Sequence, residues 1–153
     1  MESYYVKLKK RRFFERKCSQ NIYLNNQRFL RENSLKIYIL SKEFLDKYGF
    51  FELIGPTGHF LTSDMALWVN YLDKNSYYPW HNHEAEELYF IVAGEAKFES
   101  ESEKPKILRT TDTRFHKSYE AHRITTTDSK ILSFVIWKNK YENVSKILDS
   151  QNS

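Results

Sequence analysis

Tyr78-Pro79-Trp80-His81-Asn82-His83-Glu84-Ala85-Glu86-Glu87-Leu88-Tyr89 is the stretch on which both the fold and its use turn. It holds two of the five histidines of the 153-residue chain, a carboxylate four residues after the second, and a tyrosine two residues beyond that. Side chains of a strand alternate with period two, so His81 and His83 share one face, and Glu87 and Tyr89 share one face. Two imidazoles and a carboxylate converging from adjacent strands can hold a divalent metal and still leave positions open for a substrate.

The surrounding texture suits strands. Ala66–Leu72 alternates, with Leu67, Val69 and Tyr71 on one side. Strands are expected over Tyr78–His83, over Glu87–Ala93, over Glu95–Glu99 after a turn at Gly94, near Ile107, and over Thr113–His116, His122–Thr126 and Lys130–Lys138. A polar hairpin loop falls at Glu99–Pro105. About seven short strands at intervals of roughly 8–12 residues argue for an all-β sandwich or barrel. Tyr141–Asp149, with Val144, Ile147 and Leu148 apolar, has the spacing of a closing helix.

Residues 1–50 read as helical. Ser19 or Asn21 can cap a helix reaching about Glu32, Leu35–Leu40 suits a short strand, and Ser41–Tyr48 suits a short helix stopped by Gly49. Gly55-Pro56-Thr57-Gly58 marks a turn and a seam. The organisation expected is one folding unit in which a mostly helical segment, 1–58, packs on a β-barrel with a C-terminal helix, 59–153.

Composition sets bounds. One cysteine, Cys18, permits no intrachain disulfide and reads as a buried or incidental thiol. No apolar run approaches the roughly 20 residues of a membrane span. The first residues lack the apolar core of a signal peptide, which makes a soluble cytoplasmic protein the expectation. Residues 1–47 carry 12 Lys and Arg against 5 Asp and Glu, and the remainder 12 against 15. Lys7–Arg12 is basic enough for a nucleic-acid arm, but no nucleic-acid motif follows it, and a solvated segment is the preferred reading. The N-terminal segment is left free to lid the barrel mouth or to build a homodimer contact. No Gly-rich phosphate loop, nucleophile elbow or Cys-x-x-Cys pair is present.

His81-x-His83-x3-Glu87, then six residues and Gly94, then His122 at a later strand start, makes a set of four candidate ligands. Imidazole with carboxylate suits Fe, Mn, Zn, Ni or Co, and the residues do not choose among them. This pattern resembles the two motifs of the cupin superfamily, small β-barrels with a metal inside. The second motif, Asp112–His122, is degenerate, with Thr111 where a glycine is usual and no proline. Tyr78 to Tyr89, His122 and the apolar run Leu132–Trp137 resemble more closely the cupin-type dimethylsulfoniopropionate (DMSP) lyases, over roughly residues 64–138.

That resemblance implies a metal-dependent lyase that removes a proton alpha to the DMSP carboxylate and expels dimethyl sulfide, leaving acrylate. It implies His81, His83, Glu87 and His122 as metal ligands, Tyr89 as the base with its pKa lowered by the ion, and Tyr78 as the second tyrosine of the site. A sulfonium cation calls for aromatic faces, for which Trp80, Phe90, Phe115, Tyr119 and Trp137 are candidates. With 25 aromatics in the chain, core packing competes for every one of them. His116 reads as a rim or surface residue and His59 as structural or exposed. Glu84 and Glu86 read as solvent-facing, a role orienting a ligand histidine being the alternative. A metal-dependent dioxygenase or isomerase on a small carboxylate or sugar, and a ligand-sensing cupin without catalysis, are the rival readings.

Overall fold

The computed structural model describes residues 42–143 and 145–148. The expected helix ending near Glu32, the strand at Leu35–Leu40, Cys18 and the basic run all lie outside those residues.

Helix α1 (Lys42–Lys47) leads directly into strand β1 (Tyr48–Gly55). Gly49 therefore lies within a strand and stops no helix, and Tyr48–Phe50, read as helical from sequence, is extended. The other strands are β2 (Phe60–Leu61), β3 (Ala66–Leu72), β4 (Tyr77–Asn82), β5 (Glu86–Ser100), β6 (Lys106–Arg109), β7 (Thr113–His116), β8 (His122–Thr125), β9 (Ile131–Lys138) and β10 (Lys146–Ile147). Pairing is antiparallel except between β1 and β2.

One strand organises the rest. The two strands expected on either side of Gly94 are a single one, β5, which bends at that glycine instead of reversing. Its first half pairs with β9 and β7, and its second half with β8 and β6. Two sheet halves result: β2-β1-β3-β9-β5-β7 and β10-β4-β8-β5-β6. Gly94 has φ +82°, and a side chain there would collide with the Lys130 carbonyl, so the bend requires glycine. A bulge between Ile91 and Ala93 adds the residue that restores parity. Glu87, Tyr89 and Ile91 face inward before it, and Ala96 and Phe98 face inward after it. The buried cluster formed with Leu72, Leu108, Ile124, Ile131 and Val135 spans both halves, so they close on one core.

The alternation of β3 holds, but the side opposite Leu67, Val69 and Tyr71 meets that core: Leu72 belongs to it and Trp68 packs on it. The expected closing helix is not formed. Among the described residues of that segment, Lys146–Ile147 instead adds a short strand to the edge of β4, opposite Asn82 and His81. Leu148 N–H then donates to the Trp80 carbonyl. A free sheet edge offers unsatisfied backbone partners, and that draw outweighs the weak helical spacing.

Candidate metal centre

β4 delivers the first imidazole by means of a defect. Its register with β8 slips between Tyr78 and His81, where Pro79 has no N–H to give the ladder. The slip places two residues three apart on the same inner face, and the Tyr78 ring stacks on His81 at 4.2 Å and 11°. His83 follows just past the strand end, Glu87 opens β5, and His122 opens β8 directly opposite His81 in register. All four are buried.

Each of the three imidazoles is held the same way. Nδ1 of His81 lies 2.7 Å from the Pro79 carbonyl, that of His83 2.9 Å from Ala85, and that of His122 2.9 Å from Glu120. A carbonyl only accepts, so each Nδ1 carries the proton and each Nε2 presents a bare lone pair. Nε2 of His122 stands 3.0 Å from Glu87 Oε2, and that of His83 stands 3.5 Å from it. Glu87 Oε2 and both nitrogens are buried without a hydrogen-bond partner. Lone pairs facing one another at such distances are favourable only around a cation. His81, His83 and His122 offer ligand atoms within 4.8 Å of one another, as do Glu87, His116 and His122. The donor set, the tautomers and the orphaned lone pairs all fit a divalent ion.

The electrostatics agree. Burial pushes the Glu87 carboxyl up, but His122 and His83 outweigh it and hold it well below the usual carboxylate range. Burial and then His122 drive His81 well below the usual imidazole range. Burial lowers His122 too, yet Glu87 prevails and raises it. The pocket thus favours one positive charge shared with Glu87. Trp137 Nε1 donates to the other Glu87 oxygen at 2.7 Å, and its ring lies 4.3 Å from that of His83.

The remaining candidates divide. Tyr89 is buried on the same face as Glu87. Its hydroxyl is pushed well above the usual phenol range, first by burial and then by Glu87, Tyr78 and Tyr48. Tyr78 is likewise raised, by burial first and Glu87 second. In the chain alone, then, the phenol pKa values are raised, opposite to the lowering expected beside an ion. Of the five cage candidates only Trp137 reaches the centre. Phe90, Phe115 and Tyr119 are 37%, 48% and 53% exposed. Phe90 pairs with Phe134, and Trp80 carries the Arg123 guanidinium 5.0 Å above its ring. Alternation explains this for Trp80, Phe90 and Phe115, each next to an inward-facing strand residue, while Tyr119 lies in the turn between β7 and β8.

His116 is the reverse error. It is fully buried, not at the rim, and stacks on His122 at 4.1 Å and 10°. Burial and then His122 lower it to about 4. The signal was available in β7, where Arg114 and His116 alternate with exposed Thr113 and Phe115. Tyr48 was missed because it falls in a segment read as helical; it packs on Tyr78 at 5.3 Å. Glu84 and Glu86 accept from Asn143 and Asn139 at the surface and orient no histidine. His59 is exposed beside Phe51, as expected.

A bent two-half sheet with imidazoles and a carboxylate gathered inside it is the architecture of a cupin. A cupin-like protein from Thermotoga maritima superposes on 72% of this chain and 83% of its own with a TM-score of 0.59, at 13% identity, a likeness of fold. The chain belongs to the DMSP lyase family, whose sequence model matches residues 24–133. DMSP lyase DddQ of Ruegeria pomeroyi is 39% identical over 103 residues, covering 67% of this chain and 51% of the relative. The crystal structure of that lyase superposes with a TM-score of 0.71 at 35% identity, over 74% of this chain and 58% of the other. The chain thus spans about half the length of the curated relative it matches. No helix among the described residues is long and apolar enough to cross a membrane.

Proposed function

We propose that the chain is a metal-dependent carbon–sulfur lyase that cleaves DMSP to dimethyl sulfide and acrylate. The observation that carries this reading is a buried phenol, Tyr89, on the same strand face as Glu87, the carboxylate of a preformed metal-ligand group. Family membership supports the substrate class.

His81, His83, Glu87 and His122 would hold one divalent ion of the Fe, Mn, Zn, Ni and Co group. When bound, the ion supplies positive charge that stabilises a substrate carboxylate and counters the forces raising the nearby phenols. Tyr89 Oη, as phenolate, takes the proton from the carbon alpha to the carboxylate. That C–H electron pair becomes the carbon–carbon double bond. The C–S bond breaks with its pair on sulfur, which departs as neutral dimethyl sulfide. Tyr78, held flat on His81, orients the carboxylate end. Trp137 fixes Glu87 by its indole donor and walls water from the ligands.

The test is headspace gas chromatography of purified chain loaded in turn with each of the five metals and given DMSP. Release of dimethyl sulfide with at least one metal is expected. Its absence with all five would end the lyase reading and return the choice to oxygenation, isomerisation or ligand sensing.

A further inference from the structure

The sheet half β2-β1-β3-β9-β5 turns one face to the metal centre, and its other face has no part in that site. Strand register places the outer face residue by residue. Glu87, Tyr89 and Trp137 point inward, so their strand neighbours Leu88, Phe90 and Ile136 point outward. Pairing then sets one row across five strands: Phe60, Ile54, Leu67, Ile136 and Leu88. A second row, two residues along, centres on Phe134, which lies between Val69 and Phe90 and stacks on Phe90 at 6.4 Å and 18°. A third row holds Tyr71 and Leu132. No residue on the three rows is charged. The next pair beyond the first row is Glu86 opposite Lys138, where the apolar surface ends.

An antiparallel sheet that closes on one core needs only one apolar face, yet this half is apolar on both. Phe60 is 64% exposed and Phe90 37%. The other described elements do not cover them: β4, β6 and β8 belong to the second sheet half across the core, and α1 sends Phe44 into that core. Strands about 4.8 Å apart and rows about 6.8 Å apart make a patch of roughly 500 Å² before side-chain relief is counted. Monomers seldom leave a larger apolar patch open, and a stable dimer buries about 800 Å² per partner as an apolar centre with a polar rim. A sheet face without charge is complementary to itself, as a two-fold contact requires, and sheets pack face to face about 10 Å apart. The chain before Lys42 matches it less well. Residues 1–47 carry 12 Lys and Arg against 5 Asp and Glu, and the helix expected there sets Asn25 and Asn26 between its apolar Ile22 and Phe29.

We propose that this outer face is where two copies of the chain join, sheet against sheet about a two-fold axis, with Phe134 and Phe90 at the centre of the contact. The inference stands apart from the lyase reading, because the residues it uses point away from the metal ligands. It gives β5 and β9 two duties. Their inner side chains Glu87, Tyr89 and Trp137 build the site, and the outer side chains between them hold the second copy.

The test is sedimentation equilibrium of the full chain, first as wild type from about 1 to 50 µM. A particle of twice the 18.5 kDa chain mass is expected. Phe134→Glu and Phe90→Glu each put a charge into the contact and should weaken association by about 30-fold or more, with the far-ultraviolet circular dichroism of the wild type retained. Phe90→Thr, which suits a strand and only removes apolar surface, repeats the measurement if a glutamate variant loses that spectrum. Ile107→Glu puts the same charge on an exposed apolar residue of the other sheet half and should leave association within about threefold of wild type. A wild type that stays at 18.5 kDa throughout overturns the proposal and leaves the face to the residues before Lys42 or to another protein. So does a dimer that survives Phe134→Glu and Phe90→Glu, or one that Ile107→Glu dissociates equally well.

Discussion

The interior of this barrel has two unlike ends. At the end built by β4, β5 and β8, Glu87 Oε2 lies 3.0 Å from His122 Nε2 and 3.5 Å from His83 Nε2, with His81 within 4.8 Å of both imidazoles. At the end faced by β1, β3 and β9, phenols, a phenyl ring, one amide and the aliphatic side chains of Leu72, Ile124 and Ile131 surround a small cavity. The first end fits a small hard cation, and the second is uncharged core. Tyr78 and Tyr89 belong to both, which places these two phenols at the boundary.

The sharpest way to break the contrast is to remove the metal end. His83→Ala should leave no ion on the chain after dialysis and abolish turnover, checked by elemental analysis alongside the headspace assay. Retained ion would mean that Glu87, His116 and His122 form the true site. Next, Tyr89→Phe is expected to lower dimethyl sulfide release by about 10²–10⁴-fold with metal content unchanged, read by single-turnover kinetics and metal analysis. Full activity would strip Tyr89 of its role. Trp137→Phe removes the donor to Glu87 and should weaken metal affinity by about 10–100-fold in a chelator competition, with the fold intact.

Smaller effects test the margins. Burial pushes the Glu120 carboxyl up, but hydrogen bonds from Ser102 Oγ, the Lys117 N–H and Ser100, with the pull of His116, bring it down to about 2. A carboxyl lowered on folding adds stability that is full above the ordinary pKa of 4.5 and is lost as pH falls toward about 2. Glu120→Gln should therefore cost about 1 kcal/mol in neutral urea titrations, and the gap from wild type should close as pH drops through that window. Smallest of all, Phe115→Ser, at an exposed ring once a cage candidate, should change stability by under about 0.5 kcal/mol and leave metal content and turnover unaltered. A large loss of turnover would restore the outer aromatics to the site.

Much of the metal end was legible because its residues crowd into one short stretch. His81, His83, Glu87 and Tyr89 lie within nine positions, and period-two spacing alone sets Glu87 beside Tyr89. The cavity end was not legible. Tyr48, Asn70 and Ser133 come from three strands far apart in sequence, and β1 was read as part of a helical segment. His116 was misplaced because its distance from His122 was judged along the chain, whereas β7 folds it onto the stacked face of that ring. The terminal segment was misjudged because apolar spacing in a few residues does not distinguish a helix from a strand offered a free edge.

From residues alone came the β class, the four candidate ligands and the phenol beside them, all of which rest on local alternation and the chemistry of side chains. Tertiary structure decided which residues an odd number of positions apart share a face, through the register shifts at Tyr78/His81 and Ile91/Ala93. It also decided which aromatics turn inward and that Gly94 bends a strand instead of ending it. The reason is that one inserted residue inverts every side chain after it, and its place is fixed by pairing with strands that local sequence does not contain.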